Sequence, residues 1–205
     1  MNESYSWWNS LNHGGMLIAP SRLSPDYGFE ECPEPPAPYY INQLRRAITR
    51  VDAAISSERS KAISDLVVTT LESVCGLKAD ESGTGWRRGG SVPNRLSRPV
   101  SYGPNVKPDH IWTGPNGAFL PVFIDRDSAQ IGRGRARRQI VRILEWMRKG
   151  GEKVALVTNG RQWRLIYAGL DYEAWAEWDT ERWFEEGDAG SQLDALRALL
   201  NPRTL

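Results

Sequence analysis

The sequence predicts an α/β protein in which a mixed central β-sheet is flanked by helices. Apolar residues recur at three- and four-residue spacing in four stretches that indicate helices: residues 39–56, 61–75, 128 or 134 to 149, and 191–200. Five apolar or alternating runs, each bounded by turn residues, indicate strands. The order α-α-β-β-α-β-β-β-α favours one mixed sheet with helices packed against it.

Turn residues justify the strands. TGPNG joins strands expected at residues 106–112 and 119–125, and Asn159-Gly160 forms a two-residue hairpin turn between residues 153–158 and 162–167. A fifth strand is expected at residues 174–179, and residues 99–102 are expected to add a short strand outside this order. The run FLPVFI is almost continuously apolar, so it is expected to be a central strand buried on both faces.

Residues 1–38 have a different composition. They are rich in Gly, Pro and aromatic residues without periodicity, and CPEPPAP favours extended polyproline II structure. We therefore interpret residues 1–38 as an extended arm and residues 39–205 as one domain, which is a normal size for a single core. The arm packs either on its own domain or on a neighbouring one.

The net charge of +1 hides an uneven distribution. Residues 86–150 contain 13 Lys and Arg against 4 Asp and Glu, so this segment carries a charge of +9. Residues 170–188 contain 8 acidic residues against one Arg, so the charge there is −7. A basic middle segment favours a polyanionic ligand.

Several classes of protein are excluded. Cys32, Cys75, His13 and His110 are too few and too scattered for a zinc site, and the two cysteines are expected to be reduced. There is no apolar run of membrane-spanning length and no signal peptide, so we expect a cytoplasmic protein without a membrane partner. Neither His has a convincing Ser or Cys companion for nucleophilic catalysis.

Three acidic residues are candidates for a site. Asp109 follows Pro108 within one expected strand, and Asp125 stands at the end of the apolar run FLPVFI. A carboxylate in such surroundings needs a partner, and a cation would supply it. Glu72 lies near the end of a helix, where the helix dipole disfavours an acid. It is either a solvated surface residue or a residue facing a metal site.

Basic residues form two candidate DNA-binding groups. The first lies in the long polar segment 79–106 and includes Arg87 and Arg88; this segment either wraps a nucleic-acid backbone or is a surface loop. The second lies at the start of the helix that ends at Lys149, where the dipole disfavours cations and phosphate contact gives a reason for them. It consists of Arg133, Arg135, Arg137 and Arg138.

This arrangement of acids, hairpin and basic helix resembles the PD-(D/E)xK, or restriction-endonuclease-like, nuclease fold. The resemblance implies a metal-dependent deoxyribonuclease in which Asp109 and Asp125 bind Mg²⁺ and Glu72 assists. It also implies that Gln139 contacts the site or the DNA. The family has a Lys two positions after the second acid, but this chain has Asp127 there.

A second resemblance covers most of the chain. NHGGMLIAPSRL, LRRA and LVTNGRQWRL resemble the N-terminal region of type IIG-like single-chain restriction–modification enzymes and their phage-defence relatives. This resemblance implies double-stranded DNA as a partner. It also implies a DNA methyltransferase, as a further domain or subunit, because the chain itself has no methyltransferase motif.

Asp127 leaves three outcomes open. It adds a metal ligand for a two-metal mechanism, another basic residue fills the Lys position, or catalysis is lost and the domain only binds DNA or positions the methyltransferase. Arg126 is expected to face the opposite side of the strand and therefore to be a poor replacement. A scaffold that contacts only protein, through the arm and the acidic Trp-rich segment, is a further alternative.

Overall fold

The fold is a seven-stranded sheet between two helical layers. The computed structural model describes residues 5–31, 33–78, 85–126, 129–134, 136–184 and 189–205. Its helices are α1 (Ser6–Asn9), α2 (Pro38–Ala53), α3 (Ser56–Val68), α4 (Ala136–Gly150) and α5 (Ser191–Leu199). Its strands are β1 (Asn12–Gly14), β2 (Gly85–Arg88), β3 (His110–Thr113), β4 (Phe119–Ile124), β5 (Val154–Thr158), β6 (Gln162–Ala168) and β7 (Glu173–Asp179). None of the described helices is long and apolar enough to cross a membrane.

The strands follow the order β1-β7-β6-β5-β4-β3-β2. β4 and β5 are parallel and are connected through α4, whereas the other neighbouring pairs are antiparallel. The expected α/β class with a mixed central sheet is therefore confirmed.

Side-chain alternation along β4 sends its residues into two cores. Leu120 and Val122 pack with α2, α3 and α5 on one face of the sheet. Phe123 packs with α4 on the other face, where its ring meets Trp146 edge to face at a centroid distance of 5.2 Å. The expectation that this strand is central and buried on both faces is confirmed.

The arm packs on its own domain. Trp7 and Leu11 are buried in the core with α2, α3 and α5, and β1 forms an edge strand beside β7. Gly14 pairs with Trp175, and a Cβ atom on Gly14 would lie 2.2 Å from the indole ring. A glycine is therefore needed where the arm crosses this ring.

Some expected element boundaries are wrong. The strand expected at residues 106–112 begins only at His110, because Pro108 has no N–H to donate to a ladder. Val106 instead forms an isolated bridge with Arg98, and residues 99–102 form no strand. The helix expected at residues 61–75 begins at Ser56, and its last turn widens into a π-helix over Thr69–Val74.

Candidate nucleic-acid interface

Several of the predicted site residues lie close together at one end of the sheet, where neighbouring strands begin or end. β3 begins at this edge, and β2, β4 and β5 end there, since β3 is antiparallel to both of its neighbours and β4 is parallel to β5. We call the group formed here by Asp109, His110, Asp125 and Arg126 the Asp109 edge. Helix α3 lies beside it, as the contacts of Ser60 and Ser64 show.

Asp109 has a guanidinium partner. Its Oδ1 accepts a hydrogen bond from Nη2 of Arg126, and its Oδ2 accepts one from the backbone N–H of Ile124 at 2.8 Å. Nε of Arg126 donates to the Ser60 hydroxyl at 2.8 Å. The carboxylate charge is thus balanced by Arg126, and both carboxylate oxygens have a protein donor.

Asp125 lies one position before Arg126 and is 3% exposed. Its backbone N–H donates to the carbonyl of Thr158 at 2.8 Å, which continues the β4–β5 pairing by one residue. Asp109 and Asp125 therefore stand at the ends of neighbouring strands, as the sequence predicts.

Arg126 differs from its expected orientation. β4 ends at Ile124, so strand alternation does not govern the residues that follow it. The side chain of Arg126 is 49% exposed and its guanidinium reaches Asp109 on the neighbouring strand. The expectation that Arg126 faces away from this site is wrong.

His110 has a serine partner that was not predicted from the sequence. Nε2 of His110 lies 3.1 Å from Oγ of Ser64, although the two residues are 46 positions apart. Burial lowers the pKa of His110 below its ordinary value; Asp109 opposes this effect, and Arg88 and Arg126 add to it. The imidazole is therefore neutral near pH 7 and suited to exchanging a hydrogen bond with the serine hydroxyl.

This Ser–His pair lacks the third group of a nucleophilic triad. Nδ1 of His110 is buried without a hydrogen-bond partner in the described structure. The carboxylate of Asp109 is already occupied by Ile124 and Arg126, so it does not orient the ring. Among the described residues, the Ser64–His110 pair therefore has no carboxylate that orients the ring as in a catalytic triad.

Glu72 is not brought to the two aspartates. It lies in the π-helical segment, eight residues beyond Ser64, which corresponds to about 12 Å along a helix axis. The chain runs away from the Asp109 edge there, since the carbonyl of Lys78 accepts from Nε1 of Trp112 near the other end of β3. The expected assistance of Glu72 at the acid pair stays a prediction, which this position does not favour.

The structure describes two of the predicted metal-site acids, Asp109 and Asp125. Within the described ranges, no group of three His, Cys, Asp or Glu side chains converges. Asp127, the predicted further acid, lies outside the described residues. Gln139 is half-buried in the first turn of α4, and its side chain has no hydrogen bond to a described residue.

The predicted DNA-binding arginines occupy three places. Arg88 lies beside His110 at the Asp109 edge, and Arg87 lines a separate cavity of about 410 Å³ on the α4 side of the sheet. The others are at the start of α4, where Arg133, Arg137 and Arg138 are exposed. Arg135 lies outside the described residues.

A cleft between α4 and the exposed part of the sheet is the second feature of this end of the molecule. Its volume is about 700 Å³, and β6, β7, β1, residues 130–133 and the first turns of α4 line it. We call it the Arg164 cleft. Arg133 and Arg137 line it, whereas Arg138 does not.

A buried ion pair forms part of the wall of the Arg164 cleft. Nε and Nη2 of Arg164 both donate to Oε2 of Glu177, at 2.8 and 2.6 Å. The guanidinium also lies 4.1 Å from the centroid of the Trp175 ring. This pair was not predicted from the sequence, although the β6–β7 hairpin register that sets Arg164 opposite Glu177 was an available signal.

Comparisons of the chain with protein-family models, curated proteins and solved structures give no match. The resemblances to PD-(D/E)xK nucleases and to restriction–modification enzymes therefore stay predictions from the sequence. What the protein does must be inferred from the positions of the described side chains.

Proposed function

We propose that this chain is a DNA-binding domain of nuclease-like architecture that has lost metal-dependent chemistry at the Asp109 edge. One observation carries the proposal: the guanidinium of Arg126 is paired with Asp109, where a nuclease of the resembling family would hold a metal ion. A guanidinium balances the carboxylate charge, but it cannot activate a water molecule as a metal ion does.

Exposed cations around this end of the sheet support a phosphate ligand. Arg88 and Arg126 lie at the Asp109 edge, and three further arginines lie beside the N-terminus of α4. Cations at a helix N-terminus oppose the helix dipole, so their presence there is unfavourable without an anionic partner. A DNA phosphate backbone supplies such a partner and binds with strong dependence on salt.

The test is binding of a fully paired DNA duplex, measured by fluorescence anisotropy between about 50 and 200 mM salt. We expect the affinity to fall steeply as salt rises. In the triple variant, Arg133, Arg137 and Arg138 are replaced by Ala. The plot of the logarithm of the association constant against the logarithm of salt concentration should then be less steep, by about 0.9 for each phosphate that these arginines neutralise in the wild type.

Arg161→Ala is the matched control, because Arg161 is exposed but already paired with Glu181 at 2.6 Å. It should leave the salt slope unchanged. Absence of duplex binding at the lowest salt concentration would contradict the proposal and favour the protein-only scaffold.

Metal-dependent DNA cleavage is a second candidate function. The specific observation in its favour is that Asp109 and Asp125 stand at the ends of two paired strands. It is tested by incubating plasmid DNA with wild type, Asp109→Ala and Asp125→Ala in Mg²⁺ or Mn²⁺. Cleavage by wild type that both substitutions abolish would replace the proposed binding function by this one. The DNA methyltransferase partner remains a prediction of the sequence resemblance.

A further inference from the structure

The Arg164 cleft has a wall that is fixed before any ligand binds. Nη2 of Arg164 donates to the carbonyl of Ile131 at 3.0 Å, and Oε1 of Gln162 accepts from the N–H of Ile131 at 2.9 Å. Gly132 passes so close to the guanidinium that a Cβ atom would lie 2.2 Å from Nη1 of Arg164. Two side chains of β6 therefore hold the loop that precedes α4, and the cleft is preformed.

The buried ion pair leaves a donor and an acceptor that are incompletely used. Nη1 of Arg164 makes no hydrogen bond to any described residue, since its bonds run through Nε and Nη2. Oε1 of Glu177 accepts only one long bond, from Nε2 of Gln162 at 3.3 Å. The wall of the cleft therefore contains one guanidinium and one carboxylate with unused hydrogen-bonding capacity, and nucleobases carry both acceptors and donors on their edges.

The remaining lining contains apolar side chains, two exposed arginines and one exposed acid, Glu173. Val141, which is 53% exposed, and the half-buried Trp175 contribute apolar surface against which a planar ring can pack. Arg133 and Arg137 are exposed, and neither forms an ion pair with a described acidic residue. A ligand that fills the cleft therefore combines a planar polar ring with a negatively charged group.

The size of the cleft restricts the ligand further. A volume of about 700 Å³ is typical of sites for single small molecules and accommodates one nucleotide. A DNA duplex is too thick to enter it, so a nucleotide within DNA enters only when it is unpaired or extruded from the stack.

We propose that the Arg164 cleft binds a single unpaired nucleotide, with its base against Arg164 and Glu177 and its phosphate at Arg133 and Arg137. This inference rests on the proposed DNA-binding function and deepens it by naming a ligand class for the cleft. The nucleotide is either part of a DNA strand or a free nucleoside monophosphate, and the chemistry of recognition is the same.

The experiment compares a fully paired duplex, the same duplex with one unpaired nucleotide, each deoxynucleoside monophosphate and inorganic phosphate. Binding is measured by fluorescence anisotropy for the duplexes and by calorimetry for the small molecules. We expect the unpaired nucleotide to increase the affinity about tenfold, which corresponds to about one charge-assisted hydrogen bond. If a monophosphate also binds, more tightly than inorganic phosphate does, the cleft accepts the free form as well.

Arg137→Ala and Arg138→Ala form the decisive pair, because both residues are exposed in the first turn of α4 but only Arg137 lines the cleft. Arg137→Ala should weaken the preference for the unpaired nucleotide, whereas Arg138→Ala should retain it. Equal effects of the two substitutions, or no preference in the wild type, would overturn the inference. Salt-sensitive binding of the paired duplex would then still support the proposed function, so the two failures are distinguishable.

Discussion

The Arg126 guanidinium links the carboxylate of Asp109 to the hydroxyl of Ser60, which lies 2.8 Å from its Nε atom. Three elements meet through this one side chain: the start of β3, the end of β4 and the first half of α3. The acid that a nuclease of the resembling family would use for a metal ion is here part of a structural contact.

The contribution of this contact to stability is the first prediction. Asp109→Ala removes the acceptor of the Ile124 N–H, so we expect the free energy of unfolding to fall by about 1–3 kcal/mol. Arg126→Ala should cost about 1 kcal/mol or less, because this side chain is half exposed. Urea denaturation of both variants measures these changes.

Asp109→Asn is the control for the first prediction, because the amide oxygen still accepts from Ile124 while the charge is removed. It should cost less than Asp109→Ala. Equal losses of stability for the two substitutions would show that the hydrogen bond to Ile124 does not contribute.

The second prediction concerns the buried pair of Arg164 and Glu177. Glu177→Ala leaves a guanidinium buried without its carboxylate, which we expect to cost about 3–5 kcal/mol in urea denaturation. Replacing both residues, as Arg164→Met with Glu177→Leu, should recover most of this loss because no charge remains buried.

Arg161→Ala provides the comparison with an exposed pair. Its partners Asp179 and Glu181 remain in contact with solvent, so its cost should be about 1 kcal/mol or less. A cost as large as that of Glu177→Ala would contradict the distinction between the buried and the exposed pair.

The third prediction uses two glycines of the loop that precedes α4. Gly132 and Gly134 have φ angles of 72° and 54°, so an alanine at either position costs about 1–2 kcal/mol in backbone strain. Gly132→Ala should cost more, because its Cβ would collide with Arg164, whereas no atom lies within 4 Å of a Cβ on Gly134. Thermal unfolding compares the two variants, and equal losses of stability would contradict a close approach at Gly132.

The fourth prediction is a pH dependence that arises from His110. Because burial lowers its pKa in the folded state below 6.5, the unfolded chain binds the proton more readily. The stability that the neutral ring contributes is complete above about pH 6.5 and is lost as the pH falls toward the folded-state pKa, by at most about 1.4 kcal/mol per pH unit.

Urea denaturation at about pH 7.5 and about pH 5.5 tests this window. His110→Gln should reduce the difference in stability between the two pH values, whereas His13→Gln at the exposed His13 should preserve it. An unchanged difference in His110→Gln would exclude His110 as its source.

The central sheet was predictable because its signals are local. The apolar run of β4 and the Asn159-Gly160 turn define their strands without reference to distant residues. β1 and β2 were not predicted. Each is short, and each is defined by its pairing with another strand: β1 pairs with β7, and β2 pairs with β3. Short strands without strong alternation carry little sequence signal.

The candidate site was only partly predictable. The placement of Asp109 and Asp125 at neighbouring strand ends follows from the hairpin. The orientation of Arg126 does not, because it depends on where β4 ends. The Ser64–His110 contact also required the structure, since helical periodicity identifies the buried face of α3 but not the strand residue that it meets.

The pairing of β1 with β7 has a consequence for synthesis of the chain. Asn12 lies opposite Glu177, so an edge of the sheet joins residues 165 positions apart. Contacts of such long sequence separation form late, because the intervening chain must first be ordered or translated. During translation β1 therefore cannot complete this pairing until β7 has left the ribosome.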